Sequence, residues 1–256
     1  MSLATAHDAK HWGQYSGEDS QHLLKLPREV RDSIYTMAME YLPTRFSFEY
    51  GMRLNALTFY PQTLPLVCFT SKQLYDEGVH AWFRRTRFVL PDDTEKSQEP
   101  FLRFIYRFSA GYKSIRMLTF KNTIQFGYGH RMPYSIYKNI VGICWNCPGL
   151  QKLTLETRSR FVLNQIVMAG GYSRYEILSK DDLYTAWDFR SLSLLPSLRY
   201  FELRIDGDPY HFDEGRGGVD RDTLINSYRT MFVETFKEDG RSTEIVVSVH
   251  GDEWDI

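Results

Sequence analysis

Hydrophobic residues recur with a helical period near the start of the chain. Between Pro27 and Pro43 they follow the spacing i, i+4, i+7, i+8 and i+11, and polar or charged residues occupy most of the other positions. This pattern predicts an amphipathic helix, because proline is tolerated in the first turn of a helix and interrupts a later turn. The apolar positions are Val30, Ile34, Met37, Ala38 and Tyr41.

A second helical pattern begins at Pro65. Its register is marked by Val67, Leu74, Gly78 and Ala81. We expect the glycine to let a neighbouring helix approach closely, since glycine has no Cβ. The period changes at residues 87–90, where a short apolar run closed by Pro91 predicts a strand. The aromatic segment 46–60 is compatible with a hairpin or with an irregular loop.

A short spacing recurs beyond residue 100. In leucine-rich repeats the pattern L-x-x-L-x-L directs alternate side chains of a short strand into the core, and this chain matches it three times. The matches are residues 115–120, 150–155 and 198–203. Residues 243–251 predict a last strand, and the intervening segments are long enough for helices. These helical segments are residues 133–146, 161–190 with an interruption at GGYSR, and 219–237.

Alternating strands and helices predict an α/β fold with a small, mainly parallel sheet built from right-handed crossovers. Polar residues alternate with the core positions of the predicted strands, whereas a sheet covered on both faces has continuous apolar runs. We therefore expect one face of this sheet to be open to water. Its polar residues either bind a partner or are solvated strand residues without a ligand. The charged residues on that face are Lys152, Glu156, Glu202 and Arg204.

The run from Leu26 to Val30, with Ile34, resembles the L-P-x-E-[LV]-x-x-x-I opening of F-box helices. Residues 66–77 are similar to the later V-C-x-x-[WF]-x-x-L helix, and the closer resemblance is to fungal F-box-like proteins. The resemblance covers residues 23–90, about a quarter of the chain. Two features depart from a compact F-box: 41 positions separate Pro27 from Cys68, and a strand-like run stands in place of the third helix.

The resemblance implies a non-enzymatic substrate adaptor of a cullin ubiquitin ligase. Leu26, Pro27, Val30 and Ile34 would dock on a small cullin-linked adaptor protein, and a leucine-rich-repeat-like half would hold the target. In the alternative, the chain is a binding or structural protein whose F-box-like helices only cap the repeats. The expected organisation is a flexible tail at 1–22, an F-box-like helical region at 23–90 and a repeat region at 91–256.

Charge and composition narrow the class of partner. The 31 basic residues nearly balance the 32 acidic ones, so no global field attracts nucleic acid or anionic lipid. The first 20 residues contain no apolar segment typical of a leader, and no run is apolar enough to span a membrane. Three cysteines do not suit a disulfide framework. We expect an intracellular protein, cytoplasmic or nuclear, with protein partners.

Candidate chemistry is sparse. Cys144 and Cys147 have CxxC spacing, but a zinc site needs four ligands, and only Cys68 and His130 could supplement them. The loop at 206–218 gathers three aspartates, a glutamate and a histidine without the spacing of a calcium loop. Catalytic and nucleotide-binding motifs are absent. We therefore expect neither an enzyme nor a cofactor or metal site, and no nucleic-acid binding.

Overall fold

The computed structural model describes residues 22–48, 64–91, 95–106, 108, 111–123, 137–169, 171–187, 189–213 and 217–250. The expected tail lies outside these ranges except for His22, and so does most of the segment 46–60.

Six parallel strands form the central sheet, and they lie side by side in the order in which the chain visits them. They are β1 (Arg45–Ser47), β2 (Arg87–Leu90), β3 (Met117–Phe120), β4 (Lys152–Arg158), β7 (Tyr200–Asp206) and β8 (Glu244–His250). A separate antiparallel hairpin consists of β5 (Leu163–Val167) and β6 (Ser173–Ile177). The predicted α/β class with a mainly parallel sheet is confirmed, and each of the three L-x-x-L-x-L matches overlaps a strand.

The helix α1 (Arg28–Ala38) precedes the first strand. The helices that follow are α2 (Lys72–Arg85), α3 (Glu95–Ile105), α4 (Gly111–Ser114), α5 (Tyr137–Trp145), α6 (Lys180–Trp187), α7 (Phe189–Ser193) and α8 (Arg221–Glu238). Because β1 and β2 come from residues 23–90, this region and the rest of the chain share one sheet.

Helices pack against one face of the sheet. A row of apolar residues in register crosses all six strands on this face: Phe46, Phe88, Leu118, Leu153, Phe201 and Ile245. The ring of Phe83 in α2 lies 5.3 Å from that of Phe88, and the ring of Phe232 in α8 lies 5.3 Å from that of Phe201. The main core therefore lies between this row and the helices, where apolar burial is the dominant stabilising term.

The second helix begins later than predicted. Pro65 opens a short 3₁₀ turn, Leu66–Phe69, and α2 starts after Ser71, whose hydroxyl accepts a hydrogen bond from the amide of Leu74 at 3.2 Å. A serine in this position caps a new helix. The expected close approach at Gly78 is made by Cys68 of the 3₁₀ turn, because a Cβ on the glycine would lie 2.5 Å from the Cys68 Sγ.

The helix predicted across residues 161–190 is wrong in its first half. Residues 163–177 form the β5–β6 hairpin instead. Gly171 at its tip has φ +81°, a conformation that favours glycine and suits a tight turn. The flanking residues are rich in branched and aromatic side chains, which favour strands. In the part of the chain that the structure describes, no helix has the length and apolar character to cross a bilayer.

Candidate functional site

An apolar surface runs along α1 and includes Leu26 and Pro27, just before the helix, and Tyr41, just after it. We call it the α1 stripe; it comprises Leu26, Pro27, Val30, Ile34, Met37 and Tyr41. Leu26, Val30, Met37 and Tyr41 are exposed to 37%, 43%, 64% and 94%, Pro27 is exposed, and Ile34 is partly exposed. Each turn of a helix normally hides such residues against the core. The most apolar side of α1 instead faces solvent.

The opposite side of α1 is buried, and its central contact is an ion pair. Arg31, Tyr35 and Met39 are the buried residues at successive four-residue steps. Arg31 donates from Nε to Oε2 of Glu77 at 2.8 Å and from Nη2 to Oε1 at 2.8 Å. Glu77 lies on α2, so this two-pronged contact joins the two helices.

Further polar contacts fix the orientation of α1. Arg31 also donates from Nη1 to the carbonyl oxygens of Leu24 and Leu26, which anchors the chain just before the helix. Arg84 of α2 donates to Asp32 at 3.0 Å. Because these bonds hold one side of α1 against α2, they keep the stripe on the other side.

The carboxylate of Glu77 is held in its charged form. Burial alone would raise its pKa, but hydrogen bonds from Arg31 and Gln73 and the charges of Arg28 and Arg31 outweigh burial and lower the pKa to about 2. Tyr35 also donates to this carboxylate, at 3.3 Å, and burial beside it raises the pKa of the tyrosine. The Glu77 carboxylate is therefore ionised near neutral pH, where it links α1 to α2 and does not exchange protons.

The four charged residues predicted on the second face of the sheet do lie together. The strand register places Glu156 of β4 directly beside Arg204 of β7. Glu202 lies two residues before Arg204 on the same strand, so the two side chains are on the same face of the sheet. Arg204 donates from Nε to Glu202 at 2.9 Å and from Nη1 to Glu156 at 3.3 Å. Lys152 places its Nζ 3.7 Å from the ring centroid of Tyr200. We call this group, with Thr119 and Thr154, the polar sheet face.

The expectation that all four charges are open to water is wrong for the two glutamates. The side chains of Glu156 and Glu202 are only 6% and 9% exposed, whereas that of Arg204 is 30% exposed and Lys152 is partly exposed. The reason is that both carboxylates turn toward the same guanidinium. Burial would raise the pKa of Glu202, but bonds from Arg204 and Thr154 lower it.

Two buried polar atoms of this face have no hydrogen-bond partner: Thr119 Oγ1 and Glu156 Oε2. Thr119 and Thr154 are register partners on β3 and β4, and both are buried, yet only the hydroxyl of Thr154 reaches an acceptor, Glu202 Oε2 at 3.1 Å. The polar sheet face therefore has two polar atoms without a hydrogen bond, one on β3 and one on β4.

The other candidate groups take structural positions. Cys144 and Cys147 are free and buried, and burial raises the pKa of both thiols, that of Cys147 to about 12. In the 206–218 loop, Asp208 accepts from the amide of Tyr210, and His211 contacts the Ser159 hydroxyl at 2.7 Å. Among described residues, three or more metal-ligating side chains do not gather anywhere.

Arg31 and Glu77 were missed by sequence reasoning. They lie 46 positions apart, and neither belongs to an apolar stripe, so the period of the apolar residues does not mark them as buried. The only available signal was the four-residue spacing of Arg31, Tyr35 and Met39.

Comparisons with protein-family models, with curated proteins and with solved structures found no match to this chain.

Proposed function

We propose that this chain is a non-enzymatic protein-interaction module, a substrate adaptor of a cullin ubiquitin ligase that docks through the α1 stripe. The observation that carries the proposal is the reversed polarity of α1. A helix that buries Arg31 and exposes Val30 and Met37 presents an apolar surface that another protein would cover. Four residues of the stripe coincide with the F-box-like positions: Leu26, Pro27, Val30 and Ile34.

The target would bind elsewhere, on the polar sheet face. Lys152 and Arg204 are its partly exposed cations, and Glu156 and Glu202 hold the Arg204 guanidinium in place. Charges fixed in this way favour discrimination between partners more than raw affinity.

The experiment measures binding of the purified cullin-linked adaptor protein to the full chain by calorimetry. Val30→Asp with Met37→Asp places two charges in the stripe at exposed positions, so the fold should survive and affinity should fall by about tenfold or more. Ser33→Asp with Thr36→Asp makes the matched change on the exposed polar side of α1. This control should bind like the unmodified chain. Absence of binding by the unmodified chain, or equal loss in both variants, would contradict the proposal.

A second candidate function is favoured by the buried side of the helix pair. Tyr35, Met39 and Cys68 belong to the same core cluster as the sheet residues. In this alternative the helices only cap the sheet of a binding or structural protein. The same measurement separates the two: a pure cap predicts no adaptor binding by the unmodified chain, and no difference between the stripe variant and the control variant.

A further inference from the structure

The β5–β6 hairpin has one protected edge and one open edge. On β6, the amide of Tyr175 donates to the carbonyl of Gly217 at 3.0 Å, so that edge is bonded to the 206–218 loop. Tyr175 is opposite Gln165 on β5. Directly opposed residues of an antiparallel pair point their backbone groups either toward each other or away from each other together. The N–H and C=O of Gln165, and by the same alternation those of Val167, therefore point away from β6.

These outward groups are unpaired in the described part of the chain. The hairpin is a sheet of two strands, and β5 bonds only to β6. Two-stranded sheets are marginal in water, and a free strand edge is a template for another strand.

Proteins usually guard such an edge with charge, proline or a bulge. Strand β5 has none of these guards: it reads Leu-Asn-Gln-Ile-Val and pairs with β6 residue for residue. Apolar side chains are also exposed around it, with Val167 at 71%, Met168 at 46% and Tyr172 at 77%. The hairpin's charges, Arg174 and Glu176, lie on β6, where they form an ion pair at 3.6 Å.

We propose that the β5 edge pairs with the β5 edge of a second copy of this chain, antiparallel about a two-fold axis, to form a four-stranded sheet. A second copy fits this edge because an uncharged strand can face itself without like-charge repulsion. Self-pairing brings the unguarded backbone groups of both copies together, and a two-fold contact of this kind closes without forming a fibre. The inference is independent of the proposed adaptor function.

The test is sedimentation of the full chain over about 1 to 100 µM, a range that brackets a weak dimer. We expect a reversible, concentration-dependent dimer. Gln165→Pro removes the outward N–H and leaves the bonds to β6 intact, since these use Asn164 and Ile166. It should weaken the dimer by about tenfold or more. Gln165→Ala keeps that N–H and loses only the side-chain bond to Ser173, so it should dimerise like the unmodified chain.

Val167→Lys supplies the missing guard through a side chain and should also yield monomers, which covers the case in which the proline variant fails to fold. Circular dichroism melting confirms that each variant is folded. A chain that stays monomeric throughout the range would overturn the proposal. So would a dimer that neither Gln165→Pro nor Val167→Lys weakens, because its interface would then lie elsewhere.

Discussion

Arg31 and Glu77 meet through two parallel hydrogen bonds of 2.8 Å, each from a different nitrogen to a different oxygen. The side chains are 10% and 5% exposed, so the pair is almost entirely shielded from solvent. A buried ion pair of this kind stabilises the fold little more than a hydrophobic contact of the same size would. Removing one member is nevertheless costly, because it leaves an uncompensated buried charge. The pair therefore specifies how α1 lies on α2 more than how tightly it is held.

Arg31→Met should destabilise the chain by about 3–5 kcal/mol, because Glu77 would remain buried without its main partner. Adding Glu77→Leu should recover part of that loss. Urea unfolding of both single variants and the double variant gives the coupling energy. Arg28→Met is the control, since the Arg28 side chain is 45% exposed and its bond to the same carboxylate is 3.4 Å, so it should change stability by about 0–1 kcal/mol. Equal effects of Arg31→Met and Arg28→Met would contradict this assignment.

Acid should weaken the fold through Glu77. Its pKa is about 2 in the folded chain against an ordinary value of 4.5, so the folded state binds the proton less readily than the unfolded state. The stabilisation is complete above about pH 4.5 and is lost as the pH falls toward about 2. The free energy of unfolding, measured in urea between about pH 7 and pH 3, should fall less in Glu77→Gln than in the unmodified chain. Parallel curves for the two proteins would refute the assignment to Glu77.

The two register-paired threonines of the polar sheet face should respond oppositely to the same change. Thr119→Val removes a buried hydroxyl that has no partner and should stabilise the chain by about 1 kcal/mol. Thr154→Val removes the donor to Glu202 and should destabilise it by about 1 kcal/mol. Thermal and urea unfolding measure both. A loss of stability in Thr119→Val would show that its hydroxyl has a partner in solution.

Reversing both charges of the Glu202–Arg204 pair should lower the melting temperature. The sequence alone predicts two exposed strand residues whose reversal is harmless. In the structure, Glu202→Arg would put a guanidinium at a buried position, and Arg204→Glu would put a second carboxylate beside Glu156. Calorimetry of the double variant checks this, with Lys152→Glu as a partly exposed control on the same face. An unchanged melting temperature in the double variant would mean that this face is open.

Two helical glycines offer a test of packing. An added Cβ at Gly78 would lie 2.5 Å from Cys68 Sγ, so Gly78→Ala should destabilise by about 1–3 kcal/mol despite the better helix propensity of alanine. Around Gly142 in α5 the same Cβ meets nothing within 4 Å, so Gly142→Ala should stabilise by about 0.5–1 kcal/mol. Combining Gly78→Ala with Cys68→Ala should restore part of the loss. No recovery would mean that the thiol is not the obstacle.

Much of the sheet could be predicted from sequence because its signals are local. The strand β4 follows from the spacing of Leu150, Leu153 and Leu155, and α8 from a long segment without proline. Which side of α1 is buried could not be predicted, because the burial of Arg31 depends on its ion pair with Glu77, 46 positions along the chain. Likewise, alternation correctly put Glu202 on the second face, but it gave no information on the neighbouring guanidinium that draws the carboxylate inward. Whether a charged side chain is buried depends on its ion-pair partners, which the period of apolar residues does not reveal.

The order of the strands has a consequence for how the chain acquires its structure during synthesis. Each strand of the central sheet after the first pairs with a strand that precedes it in the chain. As the polypeptide leaves the ribosome, the strand with which each new strand pairs has therefore already been synthesised. Pairing of the early strands does not depend on the later ones. The sheet can lengthen in one direction, with β8 as the last addition, so a chain stalled after β4 would already contain four of the six strands of this sheet.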